Sequence, residues 1–103
     1  MSAHIQLNSR EEFDKAIQEK GKYVFIYCYE GETSPQAEEY AKKFSSTTTS
    51  YKVDISQQEN ARKYFGISKA PSAIVYRDGK ELKKTEGMDP AVMKEIMEML
   101  QSA

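Results

Sequence analysis

A chain of 103 residues has the length of one domain, 1–103, and its 39% hydrophobic residues, spread in short blocks, supply a small core that needs no disulfide. Its 30% charged residues leave a net charge of only −1, so it carries no electrostatic footprint for nucleic acid or an anionic membrane, and no apolar run approaches the ~20 residues of a membrane span. The single cysteine, Cys28, excludes an intrachain disulfide and a cysteine-based metal site.

Ile5 and Leu7 alternate with polar residues and predict a short first strand, with His4 as an exposed strand residue. The stretch Met1 to Leu7 has neither a basic region nor an apolar core, so it does not read as a signal peptide. With one thiol, that favours a reducing, intracellular and cytoplasmic setting. Ser9 and Glu12 have the spacing of a capping box, and Phe13, Ala16 and Ile17 form one face of the helix it opens. Lys22 to Tyr29 is almost wholly β-branched or aromatic without alternation, the pattern of a strand covered on both faces. Ser34-Pro35 predicts an N-cap followed by proline at the first helical position. Ala37, Tyr40, Ala41 and Phe44 then share a helical face. Ser45 to Ser50 is biased to Ser and Thr and reads as a loop, and Tyr51, Val53 and Ile55 alternate as a third strand. A short helix spans Gln57 to Phe65 and ends at Gly66. Ser72 to Tyr76 is strand-like, Asp78-Gly79 signals a hairpin, and Glu81 to Glu86 returns as a sheet edge. Asp89-Pro90 starts the last helix, whose buried stripe is Val92, Ile96, Met99 and Leu100. The order β-α-β-α-β-α-β-β-α predicts an α/β fold: a central mixed β-sheet with helices on both faces.

This order and four segments resemble the thioredoxin family over nearly the whole chain. Val24 to Tyr29 looks like the family's central strand, and Tyr51-Lys52-Val53-Asp54 like the strand after its long helix. Phe65 to Ser72, with Gly-Ile-x-x-x-Pro spacing, is similar to the cis-proline segment, and Tyr76 to Lys80 to the terminal hairpin. The resemblance implies a thioredoxin-like fold and a cis Ala70–Pro71 bond.

It also exposes a departure. Where thioredoxins carry Trp-Cys-Gly-Pro-Cys, this chain has Glu30-Gly31-Glu32-Thr33-Ser34, so the two family cysteine positions fall on Gly31 and Ser34. The family's buried acid falls on Phe25, and its helix proline on Glu39. Disulfide exchange needs an attacking thiolate, a second sulfur and a proton acceptor. Gly31 has no side chain, and Ser34 is better read as a helix cap than as a nucleophile. No catalytic residue, cofactor or metal is therefore expected.

The reading is a redox-inactive module that binds a protein or an extended peptide segment, or acts as a scaffold. Its surface would be the former active-site face: Glu30, Gly31, Glu32, Thr33 and Ser34 with Lys69, Ala70 and Pro71. The backbone before Pro71 would pair with the peptide as an added strand. Two alternatives stay open. One is a residual thiol-disulfide or monothiol activity at Cys28, set against a buried structural thiol. The other is a holdase-like chaperone. The acidic Glu30 and Glu32 either select a basic partner or are simply solvated. Met93 and Met99 fall near the core stripe of the last helix and Met97 at its edge. The seven tyrosines read as core and sheet residues rather than as a nucleic-acid platform.

Overall fold

Local signals in the chain place most of the elements. A computed structural model describes residues 3–101. Ser9 caps the first helix, α1 (Arg10–Ile17), its hydroxyl accepting the Glu12 N–H at 3.2 Å. The Glu12 carboxylate reaches back to the Asn8 N–H at 2.6 Å, one residue further than the usual reciprocal bond. The central strand β2 (Tyr23–Tyr29) is buried along all but its first residue. α2 (Pro35–Lys43) begins at the Ser34 cap, and α3 (Asn60–Phe65) ends on Gly66 in the left-handed region. β4 (Ser72–Arg77) and β5 (Lys80–Glu86) are joined by Asp78 and Gly79, both at positive φ as a two-residue hairpin turn requires. In α4 (Pro90–Gln101) the first turn is closed by the Asp89 carboxylate, which accepts the Ala91 N–H at 2.9 Å.

With β1 (Ile5–Gln6) and β3 (Thr48–Asp54) these strands form one sheet in the order β1-β3-β2-β4-β5. β2 runs parallel to β3 and antiparallel to β4, so the first three strands are parallel and the hairpin adds the antiparallel edge. The sheet separates two cores. Side chains alternate across a strand, so Val24, Ile26 and Cys28 of β2 point to one face, where Phe13 of α1 and Phe65 of α3 meet them. Phe25, Tyr27 and Tyr29 point to the other, against Ala37 of α2 and Met93, Ile96 and Leu100 of α4.

Four expectations need correction. His4 is buried, not exposed: its Nδ1 lies 3.0 Å from Glu38 Oε1, and its ring packs 5.7 Å from that of Tyr27. Ile5 is the exposed residue of that strand, while Leu7 is buried. The Ser/Thr run is a loop only as far as Thr47. Thr48, Thr49 and Ser50 pair with Tyr23, Val24 and Phe25, and backbone pairing to a buried strand outweighs their polar composition. The third helix starts at Asn60, because the N–H groups of Gln57 and Gln58 turn back onto the Asp54 carbonyl. On α4, Met93 is buried more deeply than Val92, and Met97 and Met99 are both half-buried beside that core.

Candidate functional site

The candidate site lies at the carboxyl end of β2, where the chain leaves the sheet and enters α2. Ser34 commits its hydroxyl to the helix: Oγ accepts the Ala37 N–H at 3.1 Å. Gly31 has φ +80° and centres a three-residue turn closed by the Glu32 N–H on the Glu30 carbonyl at 3.0 Å. A Cβ here would meet nothing within 4 Å, so it is the backbone conformation, not space, that favours glycine. The turn is tied down on two sides. Asp54 Oδ2 accepts the Gly31 N–H at 3.3 Å, and Arg62 pairs with Glu30 at 3.0 Å. The other Asp54 oxygen accepts the Ser56 hydroxyl and N–H, and the hydroxyl bond is the main reason its carboxyl is held below the ordinary range.

Facing this turn is the segment before β4. The Ala70–Pro71 peptide bond is cis. Both flanks of the segment are fixed. Ser72 Oγ donates to the Lys69 carbonyl at 2.5 Å, and the Pro71 carbonyl accepts the Gly87 N–H at 2.8 Å. Glu86 Oε1 accepts the Ser68 N–H and hydroxyl, at 2.5 and 3.0 Å, which holds its carboxyl low. Between these anchors, the backbone of Ala70 has no hydrogen-bond partner among the described residues.

The two segments enclose an open cleft of about 320 Å³. Its walls are Glu30, Glu32, Thr33 and Ser34 on one side and Ala70 and Pro71 on the other, and its floor is Tyr27 and Tyr29. The geometry therefore brings together the predicted residues with two exceptions. Lys69 does not line the cleft: its stem lies where a Cβ on Gly87 would come within 3.3 Å, and its charge acts on Glu86. Gly31 contributes the turn rather than a wall. Sequence reasoning assigned the tyrosines to the core and missed their second role. Their rings stack 5.9 Å apart, and Tyr29 is held by its hydroxyl bond to Gln6 at 3.1 Å. The signal available was the alternation of β2, which places residues 27 and 29 on the face from which α2 departs.

Cys28 lies between those two tyrosines in sequence and on the opposite side of the sheet in space. It is fully buried among Val53, Ile55 and Ile74, and burial pushes its thiol up to about 12. Among the described residues, no three His, Cys, Asp or Glu side chains converge as a metal site, and no helix is long and apolar enough to cross a membrane.

A mixed sheet of this order, with a helix leaving the central strand and a cis-proline segment beside its first turn, is a thioredoxin-like fold. The family model Thioredoxin matches residues 4–101, and the chain belongs to the thioredoxin family. Thioredoxin-2 of Saccharomyces cerevisiae is 28% identical over 98 residues, covering 89% of this chain and 93% of the relative. Thioredoxin of Trypanosoma brucei brucei superposes with a TM-score of 0.81 at 18% identity, over 97% of this chain and 92% of that one. Thioredoxin of Fasciola hepatica gives 0.79 at 22%, over 92% and 97%. At those identities the two structures speak for the fold alone.

Proposed function

We propose that this chain is a redox-inactive member of its family that holds an extended segment of a protein partner in the cleft between the Glu30–Ser34 turn and Pro71. The observation that carries the reading is the position of the chain's one thiol. Thiol chemistry in the cleft needs a thiolate at its wall. Cys28 is sealed on the other side of the sheet, with its thiol pushed up to about 12. At the two family cysteine positions stand Gly31, which has no side chain, and Ser34, whose hydroxyl caps a helix. The same burial argues against a monothiol activity at Cys28.

Peptide capture is what remains of this architecture once sulfur is removed. Ala70 offers a backbone N–H and carbonyl without internal partners, beside an aromatic floor, and a strand added there gains main-chain hydrogen bonds. A single thiol suits a reducing compartment such as the cytoplasm. The test has two arms. Wild-type protein should not accelerate insulin reduction by dithiothreitol, and robust turnover would overturn the reading. A captured partner should bind saturably and perturb the amides of residues 29–34 and of Ala70. Indiscriminate capture of unfolded chains without such a footprint would favour a holdase instead.

A further inference from the structure

We infer that the cleft selects a basic segment, one that presents a lysine or arginine side chain to Glu32 while its backbone pairs at Ala70. The inference rests on the peptide-holding reading above and adds the chemical class of the partner. Among the described residues, Glu30 and Glu32 are the only charged side chains that line the cleft, and both are acidic. They differ in state. Glu30 already has a cation, Arg62, at 3.0 Å. The Glu32 carboxylate is exposed and has no ion-pair or hydrogen-bond partner among the described residues. The cation next in sequence to the opposite wall, Lys69, lies outside the cleft against Gly87, with its charge acting on Glu86, so it does not neutralise the site. A long basic side chain fits both surfaces offered: an apolar stem along the Tyr27–Tyr29 floor and a charged head at the carboxylate.

Arg62 is a full positive charge close by, but it is paired with Glu30, and the first turn of α2 adds only the partial positive charge of a helix start. Part of that charge is already answered: the Ala37 N–H is bonded by Ser34, and Pro35 has no N–H to present. A full carboxylate outweighs what is left. An acidic ligand residue would meet Glu32 with like charge, a repulsion that works as selection against wrong partners.

The experiment is selection of random short peptides displayed on their messenger RNA, against wild-type protein and Glu32→Lys. Glu32 is exposed, so the variant keeps the fold. In wild-type binders, lysine and arginine should outnumber aspartate and glutamate by about tenfold at one position, and their affinity should fall several-fold from low to high salt. The variant should invert that preference. Binders that perturb the amides of residues 29–34 and of Ala70 but show no charge preference would overturn this inference and leave the peptide-holding reading standing. No binders, or binders mapping elsewhere, would overturn that reading and this inference with it.

Discussion

The two faces of the sheet are packed differently. The face under α1 and α3 is dry and close-packed: Phe13 is fully buried, Phe65 is 2% exposed, and Ile26, Val53, Ile55 and Ile74 have no exposure. The face under α2 and α4 adds tyrosines and all four of its methionines to a core of Phe, Ala, Val, Ile and Leu, with His4 and Ser50 beside a void of about 20 Å³, room for one water molecule. Methionine adapts its shape where branched aliphatics do not. The cleft opens from this second face through Tyr27 and Tyr29, whereas the thiol of Cys28 lies in the first. The candidate binding surface thus lies on the side of the sheet with the more adaptable side chains.

The largest test of that contrast is Phe65→Ala. Removing a fully enclosed ring from the close-packed face should cost about 3–5 kcal/mol, read from urea unfolding. Next is the double change Gly31→Cys and Ser34→Cys. It forces a side chain onto φ +80° and removes a helix cap, so it should cost about 2–3 kcal/mol. Insulin reduction by this variant should stay weak, because Phe25 offers no carboxyl to accept a proton. Vigorous turnover would mean that the turn readily leaves its present conformation. On the adaptable face, Met93→Ala should cost about 2 kcal/mol, at the low end for a buried side chain. A loss equal to that of Phe65→Ala would erase the contrast.

Smaller effects belong to the polar groups. Burial holds the His4 imidazole below its ordinary value of 6.5, against the opposing pull of Glu38. The folded state therefore binds the proton less readily than the unfolded chain. Stability from this group is present above pH 6.5 and is lost as pH falls toward the lower folded-state value. Asp54 and Glu86 are also held low, so the stability they add is present above 3.8 and 4.5, their ordinary values, and declines only below them. Thermal melts should show a modest decline between neutral and mildly acidic pH that flattens in His4→Gln. A decline of the same size in the variant would sink the assignment. Arg62→Ala breaks an exposed pair and should change stability by no more than about 0.5 kcal/mol.

Much of this architecture was legible because local chemistry and tertiary structure agree. Ser9 with Glu12, Ser34 with Pro35, and Asp78 with Gly79 each specify a backbone geometry within a few residues, and each is where it should be. Legibility failed where distant partners decide. Thr48 to Ser50 becomes strand only because Tyr23 to Phe25 lies alongside, and His4 is buried because Glu38, on another element, receives it. In the cleft, the acidic wall and Pro71 could be read from the sequence. The turning-away of Lys69 and the tethering of Gly31 by Asp54 depend on side-chain directions that no spacing rule encodes.

The sealed thiol gives the protein a built-in clock. A reagent reaches Cys28 only when the central strand is uncovered, so at limiting reagent the rate of modification should measure the free energy of the opening that exposes β2. With no second cysteine in the chain, no disulfide can form within one molecule to trap the opened state, so opening and reclosing alone should set the population that the reagent samples.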